Sequence, residues 1–247
     1  MTIPQPPPLP RIIGHRGAMG HAPENTLASI DKAAALGCRW VEFDVKLTAD
    51  GEIVLMHDDT LDRTTDGSGP VAGTTLDALR RLDAGRWFSA DFTGERVPTL
   101  DEAMAALARR GMGANVEIKP CKGREAETGA AVARALAEHG MNAPQPPFVS
   151  SFSATALAAA RDVAPALPRA FLTVVYLPGW AAQLEQLGCA CFHVLDRLIN
   201  ERRVRNIREA GFRPLAFTVD HGARAGQLLS WGVESIITNY PDRMPNG

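Results

Sequence analysis

The sequence has no run of hydrophobic residues near the 18 or so that a helix needs to cross a bilayer. It also lacks an excess of either charge, because 26 Lys and Arg residues face 28 Asp and Glu residues, for a formal net charge of -2. Duplex nucleic acid is bound through clustered Lys and Arg, so no nucleic-acid partner is expected. Any anionic ligand therefore needs a local site rather than the field of the whole protein.

Cysteine is scarce, and its four positions are Cys38, Cys121, Cys189 and Cys191. They form neither a CxxC pair nor a zinc-binding spacing, so we predict buried free thiols. Residues 1–10 are proline-rich and lack the cationic and apolar regions of a signal peptide. We therefore predict a flexible tail over 1–10 and a cytoplasmic protein.

Short apolar runs rich in β-branched residues alternate with helical patterns along the rest of the chain. Helices are predicted over Thr75–Ala84 and Thr99–Arg110, the second with a capping box formed by Thr99 and Glu102. The predicted strands are Arg11–His15, Trp40–Lys46, Ile53–His57, Asn115–Lys119, Phe148–Phe152, Arg169–Thr173, Ala190–Val194, Pro214–Val219 and Ser235–Asn239. This alternation predicts an α/β fold, a (β/α)8 TIM barrel with an insertion at about residues 58–113 and a single domain over 11–247. A doubly wound sheet is the alternative, but no GxGxxG or P-loop follows the first strand.

Nine predicted strands compete for the eight places of the barrel. Asp50 and Gly51 form a strong hairpin signal, and a tight turn joins antiparallel strands, whereas parallel neighbours need a long crossover. Either Ile53–His57 or Ser235–Asn239 is therefore the additional strand.

Acidic side chains alternate along the second predicted strand, which places Glu42, Asp44 and Lys46 on one face. In a barrel that face points inward, where unpaired carboxylates cost several kcal/mol. Glu117 joins them from another strand. Three oxygen ligands without thiolates suit Mg²⁺ or Ca²⁺. The alternative is a core of salt bridges to Lys46 or Arg16.

Two histidines stand at predicted strand ends, His15 and His57. Imidazoles exchange protons near neutral pH, so a pair could serve as base toward a nucleophile and acid toward a leaving oxygen. Arg16 and Lys119 supply the cationic donors that a phosphodiester needs. The alternative role for His57 is that of a metal ligand.

The motifs resemble the glycerophosphodiester phosphodiesterase family, specifically its bacterial cytosolic type, a barrel family related to the phosphatidylinositol-specific phospholipases. Two positions depart from the family pattern: Phe217 stands where a tryptophan is usual, and Asn239 where an aspartate is common. The segments that carry the resemblance are His15-Arg16-Gly17, Pro23-Glu24-Asn25-Thr26, Glu42-Phe43-Asp44-Val45, His57-Asp58 with Leu61, Arg63, Thr64 and Thr65, Leu82-Asp83-Ala84-Gly85, Val97-Pro98-Thr99-Leu100, Glu117-Ile118-Lys119 and Ser151-Phe152.

The resemblance implies hydrolysis of a small glycerophosphodiester to sn-glycerol 3-phosphate and an alcohol, through a cyclic phosphate that water opens. It implies Mg²⁺ or Ca²⁺ as cofactor, with Mn²⁺ as a third candidate, and no stable membrane association. The implied site residues are metal ligands Glu42, Asp44 and Glu117, acid-base residues His15 and His57, phosphate contacts Arg16 and Lys119, and Phe152 beside the glycerol. Glu24 and Asn25 are expected to brace the first loop.

Three other functions remain as alternatives. A lysophospholipase D-type enzyme would need an exposed apolar lip or a basic amphipathic helix near the site. A non-catalytic barrel could bind phosphodiesters without hydrolysing them. A metal-dependent sugar isomerase would use similar His, Glu and Asp groups but would not explain Arg16 and Lys119.

Overall fold

The computed structural model of the chain describes residues 2–140 and 145–245; Met1 of the predicted tail and residues 141–144 and 246–247 of the predicted domain lie outside this part. The strands are β1 (Ile12–Gly14), β2 (Trp40–Leu47), β3 (Ile53–Leu55), β4 (Gly113–Ile118), β5 (Phe148–Ser151), β6 (Arg169–Thr173), β7 (Cys191–Leu195), β8 (Arg213–Phe217) and β9 (Ser235–Thr238). The α-helices are α1 (Leu27–Ala35), α2 (Leu76–Leu79), α3 (Leu100–Arg110), α4 (Glu125–Gly140), α5 (Ala154–Val163), α6 (Trp180–Leu187), α7 (Glu201–Glu209) and α8 (Gly222–Ser230).

Eight of the strands are parallel and close into a barrel. Going round it, β1, β2, β4, β5, β6, β7, β8 and β9 pair with their neighbours, and β9 pairs with β1 to complete the circle. β3 pairs only with β2, and it does so antiparallel, with Val45 opposite Leu55. The (β/α)8 prediction is confirmed, and the additional strand is the one that follows Asp50 and Gly51.

The predicted insertion consists of two different parts. Residues 58–99 form turns and short helices over a small apolar cluster that includes Val54, Leu61 and Leu79. α3, by contrast, directly precedes the barrel strand β4 and packs against it, against β3 and against α1, as a helix of the barrel does. It begins with the predicted capping box, since the Thr99 hydroxyl accepts from the Glu102 N–H at 3.2 Å and the Glu102 carboxylate accepts from the Thr99 N–H at 2.9 Å.

The helix predicted from Thr75 to Ala84 is wrong beyond its first turn, because only Leu76–Leu79 is helical. The Asp83 carboxylate accepts hydrogen bonds from the backbone N–H groups of Gly85, Arg86 and Gly94. These bonds stabilise a loop in place of a helix, which is how Asp competes with helical structure.

The amino-terminal end of the barrel is closed by apolar side chains. Ile13, Phe148 and Leu215 belong to an inner cluster, against which Ile3 and Leu9 pack from the segment preceding β1. Residues 2–10 of this segment form no helix or strand, but the guanidinium of Arg213 donates to the carbonyls of residues 6 and 7 at 2.7 and 3.1 Å. A ligand can therefore enter the barrel only from the carboxyl ends of the strands, where barrel enzymes carry their sites.

All four cysteines are buried and free, as predicted. Within residues 2–140 and 145–245, no helix combines the length and the apolar character needed to cross a membrane.

Candidate active site

Three carboxylates converge at the carboxyl ends of β2 and β4. In the strand register, Glu42 pairs with Asn115 and Asp44 with Glu117, so alternate residues of both strands point into the barrel. Each of Glu42, Asp44 and Glu117 offers an oxygen that lies within 4.8 Å of the other two. The side chains are almost fully buried, with 2%, 1% and 6% of their residue surfaces exposed.

The pKa values of the three carboxyl groups are shifted in different directions. Burial, together with repulsion from Asp44, raises the pKa of Glu117 to about 7. The same two causes, with Glu117 as a third, raise the pKa of Glu42 well above its usual value. Burial also opposes ionisation of Asp44, but Arg16 and Lys119 outweigh it and hold the pKa of that group below its usual value.

These three residues fit a hard divalent cation. Oxygen Oε1 of Glu42 and oxygen Oε1 of Glu117 are buried and accept no hydrogen bond from the described residues. A buried, unpaired carboxylate oxygen is costly unless a cation binds it. An all-oxygen donor set without a thiol suits Mg²⁺, Ca²⁺ or Mn²⁺. Of the described residues that could ligate a metal as a group, only these three come together.

The salt-bridged core suggested as the alternative is present only in part. Lys46 does not neutralise the cluster, since its ammonium binds Asp59 at 2.5 Å and the carbonyl of Lys119 at 3.0 Å. Arg16 does approach it, with Nε 3.2 Å from Oδ2 of Asp44.

His15 follows β1 and borders the carboxylates, with Nε2 3.8 Å from Oε2 of Glu42. Its Nδ1 lies 2.6 Å from Oδ1 of Asn239, which follows β9. Burial and the neighbouring Arg16 lower the pKa of His15 to about 4, so the ring is neutral at pH 7.

The turn after β1 holds Arg16 in a left-handed conformation. Arg16 has φ 49° and Gly17 has φ 84°, and a side chain at Gly17 would collide with Ser29. In this conformation the Arg16 N–H donates to Oε2 of Glu42 at 3.0 Å, and its guanidinium donates to Glu24 at 2.6 Å. The turn therefore uses Gly17 to aim Arg16 at the acidic cluster.

Glu24 and Asn25 brace this loop, in agreement with the expected role. Asn25 exchanges two hydrogen bonds with Asp44: its side-chain N–H donates to Oδ2 at 2.9 Å and its Oδ1 accepts from the Asp44 N–H at 3.1 Å. Glu24 is buried and binds Arg16 and Arg63, whose guanidinium donates at 2.7 and 2.8 Å. These cations hold the pKa of Glu24 below its usual value although burial opposes them.

His57 lies across the site from His15, on the segment that follows β3. Its Nδ1 is 2.6 Å from Oδ1 of Asp58, and Arg63 donates to both oxygens of Asp58 at 2.7 and 3.0 Å. Burial lowers the pKa of His57, although Asp44 raises it in part. A continuous set of hydrogen bonds therefore joins His57, Asp58, Arg63, Glu24 and Arg16.

A cavity of about 570 Å³ opens beside the carboxylates and is lined by His57, Glu117, Lys119 and Phe152 among others. The Lys119 ammonium lies 3.3 Å from Oε1 of Glu117 and 5.6 Å from the centre of the Phe152 ring. Phe152 in turn meets Phe217 edge to face at 5.8 Å. Four of the eight proposed site residues therefore line this cavity, whereas the other four, His15, Arg16, Glu42 and Asp44, do not.

The structure brings all eight residues proposed from the sequence to one end of the barrel. Four further residues hold the two histidines and have no role in the sequence prediction: Asp58 and Asn239 bind the rings directly, and Arg63 and Asp220 bind these two. Asp58 and Arg63 belong to a motif that carries the family resemblance, and Asn239 is a departure from the family pattern. Asp220, in the loop after β8, gave no signal, because nothing in a loop sequence indicates which distant side chain it binds.

The chain is similar over nearly its whole length to proteins of one family. A family model described as the glycerophosphoryl diester phosphodiesterase family matches residues 15–243. A glycerophosphodiester phosphodiesterase of Caldanaerobacter subterraneus is 33% identical over 239 residues, which cover 95% of this chain and 96% of that protein.

Solved structures give the same result. A phosphodiesterase of Oleispira antarctica, in complex with the product sn-glycerol-3-phosphate, matches with a TM-score of 0.92 and 40% identity over 96% of this chain and 95% of that chain. A glycerophosphodiester phosphodiesterase of Agrobacterium tumefaciens matches with a TM-score of 0.80 and 30% identity over 95% and 98%.

The family model and these relatives show that the chain is an enzyme of the phosphoric diester hydrolase class. The chain belongs to the glycerophosphoryl diester phosphodiesterase family, so the prediction of that family from the sequence is confirmed.

Proposed function

We propose that the protein hydrolyses small glycerophosphodiesters to sn-glycerol 3-phosphate and an alcohol, with a divalent cation at Glu42, Asp44 and Glu117. The observation that carries the proposal is the buried carboxylate trio, in which Oε1 of Glu42 accepts no hydrogen bond from the described residues and Oε1 of Glu117 faces the Lys119 ammonium at 3.3 Å, with His15 and His57 at the same end of the barrel. The Oleispira relative, solved with sn-glycerol-3-phosphate, supports the choice of product.

A divalent cation bound to these carboxylates would neutralise the charge of the phosphodiester and make a nearby hydroxyl more acidic. His15 and His57 stand on the two sides of the cluster and are proposed to exchange protons with the attacking and the departing oxygen. A hydroxyl of the glycerol attacks phosphorus, and its proton passes to one histidine, which enters the step neutral. The bond from phosphorus to the headgroup oxygen breaks, and the headgroup leaves as an alcohol with a proton from the other histidine, which enters the step protonated. Water then opens the cyclic phosphate by the reverse transfers.

The cationic side chains are proposed to bind the phosphate unequally. Arg16 is engaged by Glu24 and lies against Asp44, so most of its charge is already balanced. Lys119 borders the open cavity and is the more available of the two. Phe152 offers an apolar face on which the carbon chain of the glycerol can pack.

An assay for glycerol 3-phosphate release tests the proposal. The protein is incubated with glycerophosphocholine or glycerophosphoethanolamine, with EDTA or with Mg²⁺, Ca²⁺ or Mn²⁺. We expect release only with a divalent cation, and its loss in Asp44→Asn. Tight binding of the diester without turnover under every condition would favour a non-catalytic binding barrel instead.

A second candidate substrate is a lysophospholipid, and one observation favours it. The loop after β6 lies at the same end of the barrel as the site and exposes Val174, Val175 and Leu177, the last of them to 63%. The Arg203 guanidinium lies 4.4 Å from the ring centre of Tyr176 in this loop and places a cation beside the apolar side chains. An acyl chain could pack on such a lip while the headgroup enters the cavity.

Lysophosphatidylcholine below its micellar concentration, compared with glycerophosphocholine, tests this second candidate. Leu177→Ser is expected to raise KM for the lysophospholipid alone. Val163→Ser is the matched control, since Val163 is an exposed apolar residue at the end of α5, toward the opposite end of the barrel. Equal KM changes for both substrates would show that the exposed apolar side chains after β6 do not bind the acyl chain.

A further inference from the structure

His15 is the first member of a hydrogen-bond chain that crosses the seam where the barrel closes. Its Nδ1 lies 2.6 Å from Oδ1 of Asn239, and Nδ2 of Asn239 donates to Oδ2 of Asp220 at 2.8 Å. Asp220 follows β8, Asn239 follows β9 and His15 follows β1, so three neighbouring strands each contribute one member.

Asp220 is itself held in place by the end of β9. Its Oδ1 accepts from the Asn239 N–H at 2.9 Å and from the Thr238 hydroxyl at 3.1 Å. Both oxygens of Asp220 therefore serve as acceptors.

The direction of every bond in the chain follows from the carboxylate. An ionised carboxylate can only accept hydrogen bonds, so the amide nitrogen of Asn239 must face Asp220. Oxygen Oδ1 of Asn239 then faces His15, and an oxygen can only accept from the ring. Nδ1 of His15 must carry the hydrogen, and in the neutral ring Nε2 keeps its lone pair.

That lone pair points into the site, because Nε2 is the ring atom that lies 3.8 Å from Glu42. We propose that Asp220 and Asn239 are positioning residues that hold His15 as its Nδ1–H tautomer, so that Nε2 accepts the proton of the attacking hydroxyl. The assignment of the tautomer stands on hydrogen-bond geometry alone, and the role in proton transfer rests on the proposed function.

His57 differs from His15 in the kind of group that binds its Nδ1 atom. Its Nδ1 partner, Asp58, is a carboxylate that touches the ring directly, whereas Asp220 acts on His15 through a neutral amide. A variant of Asp220 therefore leaves no unpaired charge against the ring and reports on orientation alone.

The test reads the tautomer from ¹⁵N shifts of the histidine rings, with His15 assigned by comparison with His15→Gln. In the unaltered protein at pH 7 we expect a protonated Nδ1 and an unprotonated Nε2 at His15. Asp220→Leu is expected to mix the tautomers and to lower kcat about 10- to 100-fold with KM nearly unchanged, the range for loss of a residue that orients a site histidine. Asp220→Asn keeps one acceptor oxygen but replaces the other with a donor, so it is expected to restore only part of both readouts.

Asp242→Leu is the matched control, since Asp242 binds Nε2 of His21 at 2.6 Å only three residues beyond Asn239. It should change neither the His15 tautomer nor kcat. A protonated Nε2 at His15 in the unaltered protein, or an unchanged tautomer in Asp220→Leu, would overturn the proposal. Because the spectra need no substrate, a protein that shows the expected tautomers but releases no glycerol 3-phosphate would contradict the proposed function and leave the positioning role intact.

Discussion

His15 and His57 flank the same acidic cluster, but different parts of the molecule hold them. His15 is fixed by the barrel itself, through residues at the ends of β8 and β9. His57 is fixed by the segment after β3, through Asp58 and Arg63. The first arrangement ends in a neutral amide against the ring and the second in a carboxylate.

Because the two histidines are held by different parts of the molecule, their positions depend on different contacts. A residue held by strand ends keeps its position as long as the barrel closes, whereas a residue held by an insertion depends on contacts between the insertion and the barrel. Arg63 makes that contact on the His57 side, since it binds Asp58 and Glu24 together. The position of His15 therefore depends only on the barrel, whereas the position of His57 depends on the ion pairs of Arg63.

Loss of either imidazole is the largest effect that we expect. His15→Ala and His57→Ala should each lower kcat for glycerophosphocholine by about 10² or more, the usual contribution of a positioned acid or base. His21→Ala is the control, because His21 binds Asp242 on the surface and should leave kcat unchanged. Near-normal turnover in either active-site variant would contradict the prediction that both histidines take part in catalysis.

Metal removal is expected to affect stability at the acidic cluster, through Glu117, which lines the same cavity as His57. Glu117 has a pKa of about 7 in the folded protein against an ordinary 4.5, so the folded state binds its proton more tightly than the unfolded state does. Its contribution is present below about pH 4.5 and is lost as the pH rises to 7, which costs about 3 kcal/mol in EDTA.

Thermal unfolding in EDTA at pH 5 and pH 7.5 measures this loss. Glu117→Gln should remove the part of the pH dependence that comes from Glu117, read as the difference between the variant and the unaltered protein at the two pH values, and an added divalent cation should restore the stability of the unaltered protein at pH 7.5. Glu127→Gln, on the exposed face of α4, is the control. If Glu117→Gln changed the stability equally at both pH values, Glu117 would not have the raised pKa assigned to it.

Removal of Arg63 tests whether the His57 side depends on its ion pairs. Arg63→Met should lower kcat about 10- to 30-fold, because Asp58 and Glu24 lose a common partner and His57 loses its orientation. Arg63→Lys keeps the charge but cannot make both bidentate contacts, so it should recover only part of the activity. Arg80→Met, which breaks an exposed pair with Glu102, serves as control.

The outcome for the His15 tautomer separates the two sides further. Arg63→Met should leave the ¹⁵N shifts of His15 unchanged, because no hydrogen bond of Arg63 reaches His15, Asn239 or Asp220 in the described structure. A change there would mean that the two sides are coupled through Arg16.

Strand alternation explains why half of this arrangement could be predicted from the sequence. Glu42, Asp44 and Glu117 lie at positions whose direction follows from a period of two, and His15 directly follows an apolar strand. The barrel prediction has the same basis. The sequence leaves open only whether Ile53–His57 or Ser235–Asn239 is the additional strand, because the pattern of a short strand does not show which neighbour it pairs with.

The partners of the histidines could not be predicted in the same way. Arg63 and Glu24 are 39 residues apart, and Asp220 meets Asn239 only because β8 and β9 are neighbours. Loop side chains choose partners in three dimensions, so spacing carries no information about them. The helix predicted over 75–84 failed for a related reason, since the Asp83 side chain binds loop backbone that a helical pattern does not reveal.

The smallest expected effect concerns Lys46, which, in addition to Arg63, connects the insertion to the barrel. The buried ammonium of Lys46 binds Asp59 at 2.5 Å and the carbonyl of Lys119 at 3.0 Å, so it joins the segment after His57 to β2 and β4. Asp59→Asn removes the charge of one partner and should cost about 1.5 kcal/mol, or a Tm decrease of about 3–6 °C, because the second partner remains. Asp62→Asn, in the same segment, should change Tm by less than about 1 °C, since Asp62 accepts only an exposed backbone N–H. If Asp59→Asn lowered kcat as strongly as Arg63→Met, the position of His57 would depend on Lys46 rather than on the Arg63 ion pairs.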